Sequence, residues 1–291
     1  MKSSILRPIP HRILLPVLWM ALALYPLIEG FAYYAMPLDE RPFMALHDPF
    51  KPSGLIGQGL GIFGSLMIIV GVSTYGLRKR WGRIQRFGKL RSWLTFHIFL
   101  CTLGPFLILL HTTFKVGNIA SIAFWSMSVV VVSGIFGRYV YVHIPKTAEG
   151  LFFSEQEIER QLQVLTDHVH NTTALPREQI AALMAWFRPR PPRSFLDALW
   201  TALRFDLTKR TLRQQARQAL AAQSLSPEQT QAALPLLVQS ARLGQQRLVT
   251  GPFQRLFGYW HVLHLPLAFV MLVTFLVHVG VAIVFGYTWI F

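Results

Sequence analysis

Five stretches of the chain are mostly apolar, and each is long enough to cross a bilayer. They cover about residues 13–36, 54–77, 93–114, 118–142 and 259–288, against the roughly 20 helical residues that a hydrocarbon core requires. Lipid offers no hydrogen-bond partners to an open backbone, so all five are predicted as helices. The segment from about His143 to Gly258 has a different pattern. Leu162, Leu165 and Val169, then Ile180, Leu183 and Met184, recur at helical spacing among polar residues. Ser154 ahead of Glu157 has the spacing of a capping box, and Ser226-Pro227-Glu228 opens a last helix. The run Arg188-Pro189-Arg190-Pro191-Pro192-Arg193 interrupts the segment. Four or five short amphipathic helices are expected there, with no strand and no internal repeat. The predicted fold class is therefore all-α, a five-span transmembrane bundle: residues 1–142 hold spans one to four, 143–258 a helical insert, and 259–291 span five.

Composition moves the chain away from soluble domains, with 53% hydrophobic and 14% charged residues. The net charge of +15 is gathered between the apolar runs, where it reads as a topology signal rather than as a nucleic-acid surface. Of the 28 Lys and Arg residues, all but Arg41, Lys51 and Lys115 fall on one side of a five-span arrangement. That side is expected to be cytoplasmic, which puts the N-terminus and the insert inside and Phe291 in the periplasm. The inner membrane is the expected location, with the first span uncleaved. The single cysteine, Cys101, lies in an apolar run, which excludes an internal disulfide, a cysteine-ligated iron–sulfur cluster and covalent haem attachment. The insert carries no Gly-rich phosphate loop, nucleotide fingerprint or nucleophile–base motif. It reads as a docking platform or a membrane-hugging subdomain.

The histidines carry the chemistry. Spans one, two and four hold none in their apolar cores, whereas the third holds His97 and His111 and the fifth holds His264 and His278, with His261 just before it. Both intervals are fourteen residues, just under four turns, so the paired side chains leave nearly one face, offset by about 40° and about 21 Å apart along the axis. Spans three and five run in the same direction, so His97 is expected level with His264 and His111 with His278. Two imidazoles at each of two depths can supply axial ligands to two flat macrocycles, giving six-coordinate iron suited to electron transfer. His264 is preferred to His261, which lies seventeen residues from His278 and leaves a different face. Core histidines paired to polar groups, or a proton relay, are the competing readings for any one of them. Zinc fits less well, because each level offers two ligands with no cysteine or paired carboxylate.

At these residues the chain resembles the ferric-reductase-type transmembrane domain, a b-type dihaem module. The likeness lies in His97 and His111 within Trp93-Leu94-Thr95-Phe96-His97 and Leu110-His111-Thr112, and in His264 and His278 within Trp260-His261-Val262-Leu263-His264 and Val277-His278. It covers about spans two to five and implies two haem b groups moving electrons between a cytoplasmic donor and the outer face. The sequence departs from the family in lacking a sixth span and the flavin and nicotinamide domains of the oxidase branch, and in carrying the insert.

Around these ligands, Arg91, Arg138 and His143 at the cytoplasmic ends of spans three and four are candidates for haem propionates, against a plain anchoring role. His261 is a candidate for tuning the inner haem from outside the ligand set. Gly54, Gly57, Gly61 and Gly64, with Gly134 and Gly137, suit close helix packing or room for a porphyrin edge. Gly104-Pro105 is expected to bend span three. Glu29 is a candidate quinone or proton ligand, but Tyr33 and Tyr34 beside it favour a group reaching the outer interface, and His47 is assigned to solvent. The leading functional expectation is an electron-transfer subunit of an oxidoreductase, working with a cytoplasmic or membrane redox protein and an outer-face cytochrome or other acceptor, within a complex. The alternative is a quinol-oxidising or quinone-reducing cytochrome b subunit, with quinone as a partner. A third is a structural or transport membrane protein without cofactor. Nucleic acid is not an expected partner, and membrane lipid is.

Overall fold

The computed structural model describes residues 11–81, 88, 90–115, 117, 121–145, 152–186 and 192–286. The basic residues Lys2, Arg7, Arg83, Arg86 and Lys89, residues 188–191 of the Arg188–Arg193 interruption, and Phe291 lie outside these. No strand occurs among the described residues. The helices are α1 (His11–Glu29), α2 (Phe31–Ala35), α3 (His47–Phe50), α4 (Leu55–Arg80), α5 (Leu90–His111), α6 (Ser121–His143), α7 (Glu155–Thr173), α8 (Arg177–Trp186), α9 (Phe195–Leu207), α10 (Lys209–Ala221) and α11 (Pro227–Val284). By length and composition, four helices can cross a membrane, within His47–Arg80, Leu90–His111, Ser121–His143 and Pro227–Val284; the apolar helix Leu14–Glu29 is shorter.

Two boundaries differ from the sequence reading. The first apolar run is interrupted at Gly30, which separates α1 from α2. A Cβ there would meet the Tyr34 and Phe50 rings at 2.5 and 2.8 Å, so the break admits two aromatic side chains. The last apolar run is the end of a 58-residue helix that starts at Pro227, just after Ser226. Gly251-Pro252 and Gly258 lie inside it, so the limit expected at Gly258 is no break in secondary structure.

The chain divides into two compact units, one of residues up to Gly134 with those from His264 onward, the other Ile135–Leu263. In the first, the most extensive helix contact is between α4 and α5. It is antiparallel, and glycine sets its closeness: a Cβ on Gly64 would lie 2.6 Å from the Gly104 carbonyl oxygen, which is backbone and cannot turn aside. Substituting Gly104→Ala is expected to cost about 2 kcal/mol, read as a lower midpoint of thermal unfolding in detergent. Pro105 sits inside α5 without ending it. Trp19 of α1 donates its indole N–H to the Thr102 hydroxyl at 3.1 Å, and Ala23, Leu103 and Leu107 form the adjoining core.

In the second unit, α7 buries Ile158, Leu162, Leu165 and Val169, the spacing its sequence carries. The Ser154 hydroxyl accepts from the Glu157 N–H at 3.1 Å. The Glu157 carboxylate, rather than completing a capping box, accepts two bonds from Arg160 and one from Gln161. These bonds, Arg160's first, hold it below the usual carboxylate range. One core joins α7, α8, α10 and α11 through Val169, Ile180, Leu220 and Leu237. A second joins α6, α9 and α11 through Val140, Ala198, Ala202, Val249 and Phe253.

Candidate functional site

His111 is the last residue of α5, and His97 lies near its start. The His111 ring donates from Nδ1 to the Gly57 carbonyl at 2.8 Å, and the His97 ring donates from Nδ1 to the Gly71 carbonyl at 3.0 Å. A carbonyl can only accept, so both rings carry their proton on Nδ1 and, when neutral, a lone pair on Nε2. This is the arrangement common to metal-bound histidines, in which the far ring nitrogen is anchored and the near one is left for the metal. Gly57 and Gly71 are themselves fourteen residues apart on α4, so the antiparallel pair repeats one contact at two depths.

Glycine clears the ground for it. A Cβ on Gly61 would stand 2.9 Å from the His111 ring, and one on Gly71 would stand 2.9 Å from the Cys101 sulfur. Tyr75, one turn past Gly71, lays its ring 5.2 Å from that of His97, centroid to centroid. Cys101 Sγ is 3.6 Å from His97 Nδ1, a weak contact beside the stronger carbonyl bond.

On α11, His264 Nδ1 lies 3.1 Å from the Ser133 hydroxyl of α6. One face of α6 serves α11 twice, since the Ser126 hydroxyl bonds Thr274 at 2.8 Å and stands seven residues before Ser133. A Cβ on Gly134 would meet His264 Cε1 at 3.8 Å, ordinary contact, whereas one on Gly137 would collide with the Trp260 indole. Gly137 is thus a packing glycine. His278 lies fourteen residues after His264 on the same helix. His261 belongs to the second unit, among the rings of Phe257 and Trp260.

The remaining candidates fall unevenly. Arg91 is exposed on the first turn of α5. Arg138 stands over the Tyr141 ring, 5.8 Å from its centroid. His143 has both ring nitrogens engaged, Nδ1 with the Tyr139 carbonyl and Nε2 with Asp206, each at 2.8 Å. A propionate at His143 would have to displace one of these two bonds. His47 is not solvated as expected: it is half-buried, and its Nδ1 lies 3.3 Å from the Tyr33 hydroxyl. Glu29 is exposed.

Comparison with protein-family models, with curated proteins and with solved structures finds no match. The site therefore rests on its own geometry. No group of three or more His, Cys, Asp or Glu residues that could hold a metal ion occurs among the described residues; an axial pair of imidazoles is a smaller donor set than that.

Sequence reasoning missed the second layer of the site. The Gly57 and Gly71 carbonyls are main-chain atoms, which residue identity does not announce. Ser133 had a signal: with Ser126 it places two hydroxyls seven residues apart on one face of an apolar helix. Arg41, counted only as an outer charge, is buried and donates to three carbonyls, those of Met36, Thr113 and Tyr34, at 2.9, 2.6 and 2.8 Å.

Proposed function

We propose that this chain is a membrane b-type cytochrome, similar to the ferric-reductase-type transmembrane domain, that carries electrons across the bilayer. It has five spans, α1 with α2 forming the first. The N-terminus and the segment between spans four and five are cytoplasmic, and the C-terminus is periplasmic. His97 and His264 hold one haem b, and His111 and His278 the other. The chain serves a larger oxidoreductase, taking electrons from a separate redox partner on the cytoplasmic side and passing them to an acceptor at the outer face.

The observation that supports this reading most strongly is the repeated Nδ1–H bond from His97 and His111 to the α4 backbone. It fixes the tautomer and ring plane that an axial ligand requires, at two positions fourteen residues apart. When bound, haem would supply a one-electron couple at iron, held by the His97–His264 and His111–His278 pairs. The protein's own tasks are then to keep four imidazoles neutral, hold them in register and exclude water. The carbonyl and hydroxyl partners hold the rings of His97, His111 and His264, and Gly61 lets α4 close on His111.

The purified protein is expected to be red and to show a b-type α-band in its reduced-minus-oxidised spectrum, with a haem-to-protein ratio near two by pyridine haemochrome. A colourless protein that takes up no haem would end the reading, and a ratio held at one would end the second site.

A further inference from the structure

α9 is apolar on two opposite faces. Inward, Ala198 and Ala202 are buried against Val140 and Phe253. Outward, Leu196, Trp200, Leu203 and Leu207 are 72%, 58%, 39% and 74% exposed. They succeed one another at intervals of four, three and four, so at about 100° per residue they form one narrow strip along the helix. Large apolar side chains exposed in a continuous line mark an interaction surface.

Its flank is basic. Arg204 borders the strip, and Arg210, Arg213 and Arg217 of α10 are exposed while Leu212, Ala216 and Leu220 are buried. Both acids of this helix pair are already engaged: Asp197 accepts from the Arg193 backbone N–H at 2.8 Å, and Asp206 bonds His143. At the start of α9 lies a cavity of about 390 Å³, bounded by Arg193, Ser194, Arg255 and Tyr259 among others. The N–H of Asp197 is capped by the Ser194 hydroxyl at 3.2 Å, so the cavity owes its charge to the two arginines and not to the helix end.

We propose that α9 lies in the plane of the membrane surface, with its strip among the acyl chains and the phosphate of an anionic phospholipid held by Arg193 and Arg255. A line of Leu and Trp with a cationic flank is the pattern of an interfacial helix, anionic lipid attracts such a flank, and Trp favours the headgroup level. Guanidinium groups pair with phosphate through two parallel bonds. The occupant is a bilayer rather than an acidic protein because of chain continuity. α6 and α11, both of membrane-spanning length, also supply residues to this unit, so the strip is tethered near lipid at high effective concentration. The inference rests on reading the apolar helices as spans and is independent of haem.

The test uses the full chain with a spin label at Trp200→Cys, in nanodiscs of phosphatidylcholine with or without about a third phosphatidylglycerol. Identically treated wild type supplies the Cys101 background. Collision with oxygen relative to a water-soluble nickel chelate is expected to be several-fold higher with phosphatidylglycerol than without it. The Arg193→Gln/Arg255→Gln pair is expected to lose that difference. A label at Trp200 that meets the nickel chelate freely in both discs overturns the proposal, and leaves the strip to a protein partner. Insertion that ignores both the lipid charge and the double substitution overturns the headgroup site. A second label at Val270→Cys, in the apolar part of α11, separates the failures: lipid-exposed there but aqueous at Trp200 sinks this inference alone, and aqueous at both sinks the membrane reading.

Discussion

Replacing His264 by alanine is expected to lower the haem-to-protein ratio from two to one, while the same replacement at His261 leaves it at two. The difference follows from helix geometry. α11 is continuous from Pro227 to Val284, with Pro266 inside it, so His264 and His278 share one helix, and their fourteen-residue interval matches that between His97 and His111. His261 is three residues earlier, about a sixth of a turn from alignment with His264 and about 4.5 Å farther along the axis. His264 also has the Ser133 hydroxyl at 3.1 Å to fix its ring, whereas His261 sits among Phe257 and Trp260. The checks are pyridine haemochrome and low-temperature EPR of the remaining low-spin signal. His264→Met is expected to keep iron ligated with an altered spectrum, which separates loss of a ligand from loss of fold. If His261→Ala loses a haem and His264→Ala keeps both, the equal-interval argument fails for this helix.

Replacing Arg41 by methionine is expected to destabilise the first unit by about 3 kcal/mol, seen as a lower midpoint of thermal unfolding in detergent. Arg41 is 5% exposed, and its guanidinium lies 5.3 Å from the centre of the Tyr33 ring. Each of its three nitrogens meets a different carbonyl. Tyr34 lies near the end of α2, and Thr113 follows the end of α5, where helix carbonyls lack partners of their own. Thr113 and Phe114 hold left-handed backbone, with φ of 52° and 63°, a conformation that residues other than glycine adopt at a cost. The bond from Arg41 to the Thr113 carbonyl offsets that cost. Methionine fills the volume but leaves three carbonyls without this donor. Lysine, a single ammonium in place of a planar fork, is expected to recover part of the loss. An unchanged midpoint in Arg41→Met would show that these bonds contribute nothing net.

The apolar runs made most of the helices legible. The expected spans 54–77 and 93–114 correspond to Leu55–Arg80 and Leu90–His111, and Ser226 does precede the last helix. What hydrophobicity does not encode is where one helix passes from one compact unit to the other. α11 has good helix formers on both sides of Gly258, so nothing local ends it there. The break at Gly30 depends on Phe50, twenty residues away, filling the space a Cβ would take. The equal intervals of the four histidines were legible because a helix converts spacing into direction. Their partners were not, since two are backbone atoms and the third is a serine that side-chain type alone does not distinguish from any other. The partner of His143 was equally hidden, since Asp206 lies sixty-three residues away in sequence.

The hydrogen bonds from His97 and His111 end on the main chain of α4, and this makes them nearly invisible to mutation. Conventional scanning of that helix exchanges side chains and leaves every carbonyl in place, so it would report α4 as inert filler around the histidines. Only a change to the peptide linkage itself, such as an ester that weakens the accepting oxygen, addresses the support directly. A scaffold of this kind tolerates wide drift in the residues facing lipid, provided the close approach at Gly61 and Gly71 is kept. Constraint on α4 would then be concentrated where there is no side chain at all.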